Sequence, residues 1–127
     1  MKVNNCIKNL LKLIDLLQKN ARDGNHLEDG CCKPFLGPDI ISNCYNTRVI
    51  TLYNKNGSIF TTNYVDDHGI THTSSFFRIK KVFDDCATLL ILNKNGDNYS
   101  STKQTITVKL SCICAIKCIE DVIIDNL

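Results

Sequence analysis

This chain has no tryptophan and one methionine, and aromatic residues make up only 7% of it. No apolar run approaches the roughly 20 residues that a membrane-spanning helix needs. A charge bias is missing too: 15 basic residues against 13 acidic ones leave a formal net charge of +2, with both signs interleaved. That excludes the electrostatic footprint of a nucleic-acid binder and a polybasic membrane anchor, so neither nucleic acid nor membrane is expected as a partner. No secretory leader is legible, because Lys8, Asn9, Lys12 and Asp15 interrupt what would be its apolar stretch. The motifs of catalysis are equally sparse. There is no Gly-rich phosphate loop, no G-x-S-x-G elbow and no H-E-x-x-H pair. His26, His68 and His72 fall in polar stretches with no cysteine close by in sequence, so no activated thiol is indicated. The chain reads as a non-enzyme with no cofactor.

Cysteine is what the sequence has in excess. Cys6, Cys31, Cys32, Cys44, Cys86, Cys112, Cys114 and Cys118 make eight in 127 residues. An even number at this density normally belongs to an oxidising compartment, yet no export route is visible. Either the thiols bind metal inside a cell or they are oxidised after synthesis. Their spacing (C-C, C-x-C and C-x-x-x-C) is not that of zinc knuckles, and no metal ligands are assigned. Adjacent Cys31 and Cys32 point apart across a trans peptide, so each would seek a distant partner. C-x-C on a strand places two sulfurs on one face with Cα atoms about 6.6 Å apart, wide for a disulfide.

One domain of 127 residues is expected, mainly β: a small antiparallel sandwich preceded by one amphipathic helix. The helix is placed at residues 4–20, where Ile7, Leu10, Leu11, Ile14 and Leu17 recur at helical spacing, with Leu13 and Leu16 widening the stripe. It packs on its own sheet, or it docks on a neighbouring subunit with Cys6 locking the contact. Residues 21–46 form a polar loop broken by glycines and prolines and bearing Cys31, Cys32 and Cys44. Residues 47–124 form the β domain. Two strands hinge at Asp84-Asp85, with Phe77, Ile79 and Phe83 on one face and Ala87–Leu92 covered on both sides. Asn54–Gly57 and Asn93–Gly96 repeat the tetrapeptide N-K-N-G and read as two tight hairpin turns. Val65–Thr73 reads as a solvated loop despite its Asp66, Asp67, His68 and His72. Gln104–Ile119 reads as one extended run with Cys112, Cys114 and Cys118 on an apolar face. Val122–Ile124 reads as a tail closing a sheet edge. The abundance of Lys, Ile and Asn is taken as a base-composition bias.

On these grounds Cys86, Cys112, Cys114 and Cys118, with apolar neighbours, are expected to be buried as free thiols or internal bridges. Cys6, Cys31, Cys32 and Cys44 are expected to reach other chains. Ile7, Leu10, Leu11, Ile14 and Leu17 are the interface candidates.

Three motifs carry a family resemblance: F-F-R at Phe76–Arg78, C-A-T-L at Cys86–Leu89, and C-I-C-A-I-K-C at Cys112–Cys118. With N-T-R at Asn46–Arg48 leading to the turn at Gly57, and an early cysteine entering a helix, the chain resembles the cysteine-rich spore coat protein Y / spore coat protein Z family. That family includes exosporium proteins of spore-forming bacteria. Its members often carry a cysteine just before C-A-T-L, where Asp84 and Asp85 stand here. The resemblance implies a structural protein of the spore surface, outer coat or exosporium, made in the mother-cell cytoplasm without a signal peptide. It implies self-assembly into ordered two-dimensional arrays cross-linked by disulfides, with copies of itself and other spore-shell proteins as partners. The alternative is a monomeric cysteine-rich binding or adaptor domain, with or without a metal.

Overall fold

Short reversals set the path of the β chain. Gly57 (φ +89°) and Gly96 (φ +66°) supply the left-handed backbone that each Asn-Gly turn requires, and Asp84 (φ +49°) does so at the acidic corner. The computed structural model describes residues 5–24 and 45–127. Within them one helix, α1 (Asn5–Gly24), precedes seven strands: β1 (Thr47–Asn54), β2 (Thr62–Val65), β3 (Thr71–Ser74), β4 (Phe76–Phe83), β5 (Cys86–Asn95), β6 (Asn98–Lys109) and β7 (Ile113–Val122). The protein is mainly β and antiparallel with one N-terminal helix, as its residue pattern indicates. Residues 25–44 of the expected cysteine-bearing loop, with Cys31, Cys32 and Cys44, lie outside the described residues.

Five strands form one antiparallel sheet in the order β6-β5-β4-β1-β7, and β2 pairs with β3 as a separate ribbon. The last residue of β6, Lys109, and the first of β7, Ile113, are joined by a 3-10 turn at Leu110–Cys112. Four Cα steps span at most about 15 Å, while four flat inter-strand spacings add to about 19 Å. The sheet therefore curls until its two edges approach at this turn.

The inside of the curl is apolar. Ile50 and Leu52 of β1, Phe77 and Ile79 of β4, Ala87, Leu89 and Ile91 of β5, Val108 of β6 and Ile113 of β7 share a cluster with Ile7, Leu11 and Ile14 of α1 and with Tyr64 of the ribbon. On the other face Val49, Leu90, Leu92 and Tyr99 pack with Ile124 of the C-terminal tail. The centre of β5 is thus covered on both sides, as its unbroken apolar run predicts.

Four local expectations need correction. The register of β4 against β5 passes from Ile79↔Leu89 to Lys81↔Thr88, so Lys80 is an extra residue that reverses the alternation. Val82 packs on the core in the place expected for Phe83, which is 36% exposed. The supposed run 104–119 is two strands on opposite edges, broken at Leu110–Cys112. Val65–Thr73 is a hairpin, its arms β2 and β3 paired from Thr62↔Ser74 to Val65↔Thr71. After the first Asn-Gly turn, Phe60 N–H still reaches Leu52 O (2.7 Å), but β2 then leaves to pair with β3, and β1 takes β4 and β7 as neighbours.

Candidate functional site

The thiols gather on β7. Its register with β1 skips Cys114, between Tyr53↔Ala115 and Asn54↔Ile113, and skips Ile119, between Val49↔Glu120 and Ile50↔Cys118. Each skipped residue is a bulge, a device that re-aims a side chain away from its regular direction. Cys114 and Cys118 are exposed, as is Cys112 in the turn before them. Burial was expected of these three, and the structure overturns it. Their apolar neighbours Ile113 and Ile116 pack on the core, while the cysteines stand exposed at the sheet's edge. Cys86, at the start of β5, is half-buried, with its sulfur 3.7 Å from Asp85 Oδ1. Desolvation first, and the charges of Asp85 and Asp84 after it, push its thiol above the ordinary range. Beside the edge, Arg48 makes a two-pronged ion pair with Asp121 (2.7 and 3.0 Å). That pair raises its guanidinium pKa, with a smaller contribution from Cys118.

The helix explains itself by its wheel. Ile7, Leu11, Ile14 and Gln18 recur every three or four residues, and all four are buried. Ile7, Leu11 and Ile14 therefore hold the helix to its own sheet and are not a surface for another subunit. Gln18 fastens its far end: the side-chain amide donates to Ile79 O (2.9 Å) and accepts from Arg48 N–H (2.9 Å), bridging β4 and β1 where their ladder is thin. Leu10 is partly buried against the same core. Of the interface candidates Leu17 alone is open, at 46% exposure, and it is joined by Leu13 (51%) and Leu16 (53%). Cys6 is exposed on the same helix.

Two polar groupings complete the surface. A cavity of about 720 Å³ between α1 and the outer face is lined by Lys19, Arg78, Lys80 and Lys103, with Asp15 and Asp125 opposing. Arg78 is buried there and donates to Thr47 Oγ1 (2.9 Å) and Asn46 O (3.2 Å). At the tip of the β2–β3 hairpin, Asp66 accepts from the backbone of His68 (2.8 Å) and Ile70 (2.9 Å) and pairs with His72 Nε2 (2.7 Å). The His72 contact, chiefly, lowers the Asp66 carboxyl below its ordinary value. Among the described residues no histidine hydrogen-bonds a cysteine, and no helix is long and apolar enough to cross a membrane.

A curled antiparallel sheet, backed by a helix, thus carries exposed thiols at one edge. Residues 1–101 match the family described as spore coat protein Z, and the chain belongs to that family. The match ends within β6, so the thiol-bearing strand β7 lies beyond it. No curated protein and no solved structure matches the chain. Membership points to a structural role in the spore coat, at the spore surface, rather than to catalysis.

Proposed function

We propose that this chain is a self-assembling brick of the outer spore coat or exosporium, joined to copies of itself and to other shell proteins in an ordered array that disulfides then harden. One observation carries the reading: exposed thiols stand on two different elements, the β7 edge and α1, the latter beside exposed leucines. A closed dimer needs one self-complementary patch, whereas an extended array needs at least two. The β7 edge offers Cys112, Cys114 and Cys118, and the open side of α1 offers Leu13, Leu16 and Leu17 with Cys6. Non-covalent docking comes first, because a disulfide tolerates only a narrow range of Cα separations and the mother-cell cytoplasm is reducing.

Electron microscopy of the purified protein tests this. Regular sheets or cages should form, survive reductant, and then dissolve in hot detergent only when reduced. Leu13→Asp with Leu16→Asp should leave stability within about 0.5 kcal/mol, since both side chains are exposed, while abolishing the arrays. A monodisperse monomer at high concentration under oxidising conditions would sink the proposal.

A further inference from the structure

β7 is an edge strand of the five-stranded sheet. It pairs only with β1, and among the described residues no other strand takes its second row of backbone groups. Cys114 and Cys118 lie two residues either side of Ile116. When a strand pairs antiparallel with its own copy about a two-fold axis, residues equidistant from the centre stand opposite one another. We infer that β7 pairs in this way with β7 of a second copy, centred on Ile116, so that Cys114 of each chain bridges Cys118 of the other. This rests on the self-assembly reading and names one of its contacts.

The distances agree. Directly opposed residues of an antiparallel pair have Cα atoms about 4.5 or 5.5 Å apart, and both values fall within the roughly 4.4–6.8 Å of disulfides. Within one chain the two cysteines are four residues apart on a strand, about 13 Å, and cannot bridge. Opposed side chains also share a face, as a bridge requires. Between the bulges at Cys114 and Ile119, the segment Ala115–Cys118 keeps an unbroken register with β1, so the new pair is straight about its centre and each bridge falls where the bulge displaces Cys114. No like charges stand directly opposite one another. Lys117 faces Ala115 of the second copy, Glu120 faces Cys112, and Ile113 faces Ile119. Centring on Cys118 instead would give one bridge in place of two and set Asp121 against Ala115.

Each bridge forms when two thiols lose two protons and two electrons to dissolved dioxygen, which becomes hydrogen peroxide. The dimer's four thiols thus reduce two molecules of dioxygen.

The test uses the full chain as an equal mixture of ordinary and nitrogen-15-labelled protein, oxidised in air and digested with trypsin without reduction. Cleavage after Lys109 and Lys117 puts Cys114 and Cys118 on different peptides. The expected product is the peptide Leu110–Lys117 linked to Cys118–Leu127 with mixed isotopes. Cys114→Ser and Cys118→Ser should each lose it entirely, with unchanged circular dichroism and, for the reduced proteins, an unchanged thermal midpoint. Mixing the two variants should restore it, because Cys118 of one then meets Cys114 of the other. A Cys118–Cys118 linkage, or a Cys114→Ser protein still bridged at this strand, overturns the pairing even if arrays form. The mixed-isotope peptide without arrays upholds the pairing and overturns the array. Absence of both overturns both.

Discussion

The two edges of the curled sheet are finished differently. On β6, the Asn126 side chain takes the place of a neighbouring strand: it accepts from Ser101 N–H (3.0 Å) and donates to Ser101 O (3.1 Å). A few residues along, Gln104 trades the same two bonds with the backbone of Val65 in the ribbon (3.2 and 2.7 Å). On β7 no described side chain plays that part, and two exposed thiols stand along the strand instead, with a third in the turn before it. Bare edges invite indiscriminate pairing, and proteins usually cover them. Among the described residues one is covered and the other is left open but selective, with two bulges and a mid-strand Lys117 that disfavour casual partners. The contrast teaches that openness at β7 is not a general property of this sheet.

The covered edge can be uncovered in steps. The largest effect belongs to Ile124, which anchors the tail in the outer cluster and whose backbone exchanges two bonds of 3.0 Å with the Asn46 amide. Ile124→Ala should cost about 2–4 kcal/mol in urea unfolding and bring backbone exchange at β6 toward that of β7. Equal protection in variant and parent would mean the tail is not the cover. Asn126→Asp comes next: a carboxylate keeps the acceptor but loses the donor to Ser101 O, for about 1 kcal/mol. Its urea midpoint should fall while cross-linking at β7 is unaffected. The smallest effect is acid loosening of the ribbon that Gln104 ties to β6. Because the Asp66 carboxyl is depressed in the folded protein, its contribution is full above the ordinary carboxylate range. It fades as pH falls through the lower folded value. Protection factors for amide exchange at Tyr64 and His72 should therefore fall in acid, and Asp66→Asn should remove that dependence.

Much of this was legible in the residues. The helix declares itself through a 3.6-residue stripe, and the β4–β5 hairpin through alternation, the acidic corner and an apolar run. Even the buried Gln18 had a signal, since it continues the series Ile7, Leu11, Ile14, although an amide reads at first as a solvent-facing residue. What stayed hidden has a common cause. Lys80 as an inserted residue, and the break at Leu110–Cys112, carry no glycine, proline or asparagine to announce them, so the alternation simply changes phase. The thiols were misjudged because apolar neighbours signal burial only where a second layer lies opposite. An edge position is a property of topology, which no local window contains. The likeness read from F-F-R and C-A-T-L was sound for the family, and the third motif, on β7, stands outside the matched residues.

Four amides, Gln18, Asn46, Gln104 and Asn126, each donate and accept at once, standing in for strands that are not there. Asparagine abundance, taken from the sequence as base-composition bias, is thus partly structural. It also gives the fold a clock. Amides lose ammonia slowly, and the resulting acid can accept but no longer donate. The reaction is quickest where an unhindered glycine follows, at Asn56-Gly57 and Asn95-Gly96, and slowest where the amide is pinned at both ends. Ageing would therefore be written first into the exposed turns, while the amides that hold the tail and the helix keep their hydrogen bonds longest.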